Sequence, residues 1–412
     1  MMDAALPPAE VDVPDTSSEV FEDGRLRTYS LTIAQADWDT LQKTALQEMF
    51  VPAQLSVDGQ PIGKVGVRYK GSYTLSQCFM DGKQVCRKVS MKLKFDAYDP
   101  ELRFHGLKRL NLHSALTDHS HLHERVSYKL FREFGVLAPR SVHGRVLIND
   151  RYVGLYNVTE EVDGRFTDHH FMGREGDGTL YKEAWPTRSQ DPAYFTKAQQ
   201  TNEGAPVGKI VAFASELAAA KSDALGGVVA RWLDADYTLR YLAVHTAIKH
   251  WDGPLTFYCS AANGCVNHNY FWYESPSQNR LTLIAWDMDN TFYDNVLTDR
   301  EKVPAWYEPA DECVRDGSSQ FLAPGCDRLV RGFQQLGHDA FRAMLGRLLE
   351  GPYQVAPLQA DIDRWAKQID ESVKTDPAGS GYEDWKANVA NLRKAIATFR
   401  ERAAAVRDGK DP

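Results

Sequence analysis

The chain has 412 residues, a net charge of -8 at neutral pH, and 43% hydrophobic and 11% aromatic residues. That composition excludes a disordered chain, and the length exceeds one ordinary domain. No dense basic patch marks a nucleic-acid binder, and no apolar run of about eighteen residues marks a membrane span.

Residues 1 to 25 are rich in Pro, Asp, Glu and Ser and read as a flexible tail. RTYSLTI alternates (Tyr29, Leu31, Ile33), which predicts a strand leading into a short helix. A hairpin follows, turned at Asp58-Gly59 and ending at Lys70-Gly71-Ser72, a loop whose amides could face a phosphate. KVSMKLKF is the cleanest strand: Val89, Met91, Leu93 and Phe95 take one face, and Lys88, Ser90, Lys92 and Lys94 the other. Lys88 is expected to be solvated. Residues 117–134 predict a helix capped by Thr117 or Asp118, striped by Leu122, Val126, Leu130 and Phe134 and closed by Gly135. Glu124 lies off the stripe, either solvated or paired with a strand lysine. His113, His119, His121 and His123 need no metal, since a loop and a helix start accommodate imidazoles.

A second hairpin, turned at Asn149-Asp150, runs out at Glu160-Glu161, and DGTLYKEAW adds a short strand. Helical segments occupy 192–235, and WLDADYTLRYLAVHTAIKH is a core helix. It leads into the stretch from His245 to Tyr293, around which the chain is organised. There Asp252, Asn269, Asp287 and Asp289 sit beside Trp251, Tyr270, Phe271, Trp272, Ile284 and Trp286. Carboxylate and amide oxygens at the edge of a core suit a hard cation such as Mg²⁺ that completes its shell with phosphate. Residues 294–330 are irregular, and helices return from about residue 332. The order predicts a two-lobed α+β protein with a cleft, lobes 26–163 and 164–412.

The cysteines fall into three close pairs, Cys78 with Cys86, Cys259 with Cys265 and Cys313 with Cys326, and none has the CxxC spacing of a zinc ribbon. Six unpaired buried thiols are the alternative. The opening residues lack the basic start and apolar core of a signal peptide. Local disulfides instead favour an exported protein whose signal peptide is no longer on the chain.

The segments KGSYT, KVSMKLKF, LKRLNLHSALTDHSHLHERVSYKLFREFGVLAPRS, RVLINDRYVGLYNVTEEVDGRF, GTLYK, HWDG, NYFWY and LIAWDMDNTF stand in the order of the spore coat protein H (CotH) kinase family, which this sequence resembles over roughly residues 60–295. The resemblance implies an atypical kinase-like fold that phosphorylates Ser or Thr of a protein with ATP and Mg²⁺ or Mn²⁺. It implies Lys92 as the ATP lysine, with Lys94 its rival, and Glu124 as its helix partner. Lys70 and Ser72 would lie near the phosphates, and Glu160 and Val162 at an adenine hinge. Asp252 would accept the substrate proton, and Asn269 and Asp287 would hold metal, with Asp289 close by. The chain departs from ordinary kinases in lacking G-x-G-x-x-G, D-F-G and A-P-E, and has His123 where the family usually has Arg.

Three rivals stand beside this reading. DMDNT after an apolar strand is also the nucleophile motif of haloacid-dehalogenase-type phosphatases. A kinase-like fold can serve as a non-catalytic surface or structural protein, or can transfer AMP or an amino acid instead of phosphate.

Overall fold

The computed structural model describes residues 15–294, 303–310, 313 and 320–410. Strands come first and helices later, as expected. The first half closes on itself as a barrel. Strand β1 (Arg27–Thr32) pairs antiparallel with β2 (Val51–Val57), and β2 with β3 (Gln60–Tyr69). A two-stranded flap, β4 (Phe79–Met80) and β5 (Lys83–Gln84), interrupts the series. Then β3 pairs with β6 (Met91–Lys94), β6 with β7 (Arg109–His113), β7 with β9 (Arg151–Glu160), and β9 with β8 (Ser141–Ile148). A parallel β1–β8 seam closes the ring. Both predicted hairpin turns form with left-handed backbone at both central residues, φ 53° and 79° at Asp58-Gly59 and 48° and 61° at Asn149-Asp150. That is the geometry that lets a two-residue loop follow the strand twist.

Alternation decides which residues fill the barrel. Tyr29, Leu31, Val67, Met91, Leu93, Phe95, Leu110, Val146 and Val158 are buried in one cluster. A second, larger cluster runs from the helix His123–Glu133 through the helices that follow to Val406. The stripe of Leu122, Val126 and Leu130 therefore faces the helices, not the barrel interior.

Beyond the barrel, β10 (Thr179–Lys182), β13 (Tyr270–Glu274) and β14 (Leu281–Ala285) form an antiparallel sheet in the order β10-β13-β14. A small sheet joins β12 (Gly264–Val266), β11 (Phe257–Ser260) and β15 (Phe321–Leu322). All three expected disulfides are present, with no free cysteine among the described residues. No helix among those residues is long and apolar enough to cross a membrane.

Three local expectations are corrected. The tail is docked from residue 15 onward: Val20 and Phe21 are buried in the barrel cluster, and the Asp23 carboxylate accepts from Arg125 at 2.6 Å and Trp365 at 2.8 Å. Residues 1–14 lie outside the described residues. The helix begins at His123, not 117, because the Asp118 carboxylate captures the amides of Ser120 and His123, each at 2.9 Å, and folds 117–122 into a loop. Lys88 is buried, not solvated: its ammonium donates to Asp376 at 3.0 Å and to the Leu155 carbonyl at 2.8 Å.

Candidate active site

Lys70 follows the last residue of β3, and β7 ends on His113. The Lys70 ammonium lies 2.7 Å from His113 Nε2, and His113 Nδ1 lies 2.8 Å from Glu124 Oε2. Glu124 stands in the first turn of the helix His123–Glu133, 1% exposed, and its other oxygen accepts from the Thr159 hydroxyl. One neutral tautomer satisfies the whole chain: Nε2 accepts from the lysine and Nδ1–H donates to the carboxylate. Burial alone would raise the Glu124 carboxyl, but His113, Thr159 and Lys70 hold it below its usual range. Burial, and secondarily Lys92, pull Lys70 down to about 7, while Asp287 opposes them.

Lys92 is not joined to Glu124. Its ammonium meets Glu161 Oε1 at 2.6 Å, and Asn111 donates to the other Glu161 oxygen at 2.7 Å. The register explains this, since Lys92 on β6 lies opposite Asn111 on β7, and Glu161 follows the last residue of β9, the neighbour of β7. Burial works against the Glu161 carboxylate, yet Lys92 draws it down to about 2. Lys94 takes no part in this network. Ser72 is exposed beyond the left-handed Gly71 and makes no capping bond to the short helix Tyr73–Cys78. The Glu160 side chain is held by Arg140 at 3.0 Å and Arg165 at 2.6 Å, and Val162 is buried against the cluster of Phe166, Phe271 and Trp286.

The β13–β14 register assembles the acidic half. Tyr270 pairs with Ala285, so Asn269 and the Trp286-Asp287 pair emerge at the same sheet end. Both Asn269 and Asp287 adopt left-handed backbone, φ 67° and 57°, a conformation that non-glycine residues hold only where their surroundings enforce it. Tyr128 accepts the Asp287 amide at 3.0 Å, and the His250 ring donates to its carbonyl at 3.1 Å. Asp252 accepts from Tyr258 at 2.5 Å and from the amide groups of Asn269 and Asn290, each at 3.1 Å. Asn290 also donates to Asp289 at 3.0 Å, and Thr117 donates to the same carboxylate at 2.5 Å. Burial, with Asp287 adding to it, pushes Asp252 up to about 6, against the Tyr258 bond. Burial and Asp287 likewise drive Asp289 well above its ordinary range.

The two halves meet at Trp286: the Lys70 ammonium lies 5.3 Å from that ring's centroid, and His113 packs on it edge-on at 5.8 Å. Among the described residues no three His, Cys, Asp or Glu side chains form a closed metal cage. Asn269 donates through Nδ2 and keeps its Oδ1 unbonded, and the Asp287 carboxylate has no hydrogen-bond or ion-pair partner among the described residues. Two open oxygen donors fit Mg²⁺, which takes only one or two protein ligands beside phosphate and water. The phosphatase reading of DMDNT loses its footing here, because β14 is an antiparallel edge strand, not the start of a parallel βαβ unit.

Sequence reasoning missed His113, Glu161, Tyr258 and Asn290. Only Asn290 carried a signal, as the amide next to the two acids of DMDN.

Residues 67–405 match the family model described as CotH kinase protein. The chain belongs to that family. Among curated proteins, the inner spore coat protein H of Bacillus subtilis (strain 168) is 22% identical over 284 residues, covering 65% of this chain and 69% of that protein. A solved structure, the Helicobacter pylori proinflammatory kinase CtkA, aligns at TM-score 0.32 and 10% identity over 75% of this chain and 92% of that one, a likeness too slight to carry argument. Every site residue of this CotH kinase protein lies inside the matched span, whereas β1 and β2 precede it.

Proposed function

We propose that this CotH kinase protein transfers the γ-phosphoryl group of ATP, with Mg²⁺ or Mn²⁺, to a Ser or Thr hydroxyl of a protein substrate. The carrying observation is the convergence at Trp286 of a lysine chain (Lys70, His113, Glu124) with an oxygen-donor cluster (Asp252, Asn269, Asp287). Phosphoryl transfer asks for little else: cations on the phosphates, metal ligands, and a carboxylate for the attacking hydroxyl. Lys70 and Lys92 would hold phosphate oxygens, and Asn269 and Asp287 would hold the metal, which would supply charge neutralisation for the phosphates. The hydroxyl oxygen bonds to the γ-phosphorus, its proton passes to Asp252, and the bond to the β-phosphate oxygen breaks to release ADP. Burial that lifts Asp252 toward neutrality suits a proton acceptor. The barrel serves as the nucleotide side and residues 164–412 as the substrate side. Three disulfides suit an exported or surface location.

The test is incubation with Mg²⁺ or Mn²⁺ and γ-labelled ATP, with a Ser-rich protein as acceptor, beside Asp287→Ala. Label transfer that Asp287→Ala removes supports the reading. Transfer from α-labelled ATP alone would indicate AMP as the transferred group. Absence of any Mg²⁺-dependent nucleotide binding would overturn the enzyme reading in favour of a binding scaffold.

A further inference from the structure

A cavity of about 370 Å³ is lined in part by the loop that carries Thr117. Its lining includes Arg87, Lys88, His119, His121, Gly379 and Ser380. Four of these six are basic or imidazole side chains, drawn from two separate parts of the chain. The carboxylates nearby are already engaged. Asp376 accepts from Lys88 at 3.0 Å, from the Leu155 amide at 2.9 Å and from the Ala378 amide at 2.8 Å. Asp384 meets His119 at 2.7 Å and takes a further bond from Ser380. Arg87 has neither hydrogen bond nor ion pair among the described residues, though the neighbouring Cys86 is anchored by its disulfide.

His121 is the less expected member. It is 5% exposed, it holds a left-handed backbone at φ 64°, and its ring nitrogen Nδ1 bonds nothing. Nδ1 is sealed from solvent, so Nε2 is the ring atom that the cavity can reach, and the ring is held there in a conformation that non-glycine residues avoid. Burial, then Lys88, keep the ring neutral, so it can act as a hydrogen-bond donor without adding charge. A guanidinium fork and imidazole N–H groups around a small concave space match a compact oxyanion, above all a phosphate monoester.

We infer that this cavity is a phosphate-binding site, separate from the candidate active site, that takes inorganic phosphate or a phosphorylated side chain. It is linked to the active site by its loop. His119 and His121 belong to the loop whose Thr117 donates to Asp289 at 2.5 Å and whose Ser120 carbonyl accepts from Trp385 at 3.1 Å. An anion seated against those histidines would hold the loop and, through Thr117, the Asp289 carboxylate.

The test requires no transfer activity. The full chain is treated with phenylglyoxal, and modification of Arg87 is followed by mass spectrometry in inorganic phosphate, in O-phosphoserine, and in chloride at matched ionic strength. Either phosphate compound should slow modification of Arg87 at least fivefold and saturably, with chloride inert. Stronger protection by O-phosphoserine would assign the site to a phosphorylated side chain, and equal protection to free phosphate. His121→Asn, a residue that tolerates left-handed backbone, should remove the protection. His119→Gln, at a more exposed position, should weaken it at least threefold and keeps the test open if the first variant does not fold. Equal modification in phosphate and chloride, or protection retained in both variants, overturns the assignment.

Discussion

At the residue scale, the lysine chain makes the sharpest prediction. Replacing His113 by Leu strands a buried ammonium and a buried carboxylate at once, and each loses a charged hydrogen bond. His113→Leu should lower Mg-ATP affinity at least tenfold in a binding titration and reduce stability by about 2–4 kcal/mol. His113→Gln, which can accept from Lys70 and donate to Glu124, should restore most of both. Full nucleotide affinity in His113→Leu would remove Lys70 from the phosphate site. Asp252→Asn separates roles in a different way: Tyr258, Asn269 and Asn290 can still hold the side chain, so nucleotide binding should persist while transfer falls at least a hundredfold. The acidic residues were readable in the sequence because carboxylates next to core aromatics are expensive and need a reason. The partner of each lysine was not, because pairing depends on which strands lie side by side. The family resemblance pointed Glu124 at Lys92. The barrel register gave Lys92 to Glu161 and placed His113 between Glu124 and Lys70.

At the element scale, the barrel is tied to the distant C-terminal helices by one buried ion pair. Lys88, just before β6, and Asp376, beyond the helix Val355–Lys374, are 5% and 1% exposed at their side chains. Asp376 also holds the Leu155 amide of β9. Asp376→Ala leaves an unpaired ammonium inside, and should destabilise the fold by about 3–5 kcal/mol in urea unfolding. Lys88→Met/Asp376→Leu should recover much of that loss, since an apolar pair of similar size removes both desolvation penalties. The alternation in KVSMKLKF identified β6 and its buried face correctly. It could not show that the other face, at Lys88, is covered by a segment almost three hundred positions away. Both hairpin turns were legible for a local reason, since Asp-Gly and Asn-Asp tolerate the positive φ such turns need.

At the scale of the whole molecule, several histidines are buried neutral, and this sets the response to acid. His143 is the clearest case. Arg125 donates to its Nδ1 at 2.8 Å, which leaves Nε2–H to donate to the His121 carbonyl at 2.9 Å. Burial, then Arg125, lower it to about 3 from the 6.5 of a free imidazole. Between those values the unfolded chain binds the extra proton, so stability falls as pH drops from about 6.5 toward 3, by about 1.4 kcal/mol per pH unit for this group. His143→Gln should flatten the dependence of unfolding free energy on pH by that slope between pH 6 and 4. An unchanged slope would place the acid sensitivity elsewhere. The α+β order of elements was legible from periodicity, but barrel closure was not. Its seam joins β1 to β8 in parallel, and nothing local in either strand specifies a partner so far along the chain.

That seam has a consequence for how the protein reaches its fold. Strand β1 leaves the ribosome early, yet both its neighbours must be present before its backbone is satisfied, and β8 follows only after the helix His123–Glu133. Closure is thus a late, long-range event in folding, delayed by the entropy of joining distant segments. A chain trimmed to start at residue 67, where the family match begins, would lose β1, β2 and most of β3. It would expose the edges of β6 and β8, the flanks that invite intermolecular strand pairing. Such a fragment should form soluble aggregates on size exclusion while the full chain elutes as a defined species, making the segment before the family match an intramolecular chaperone for the rest.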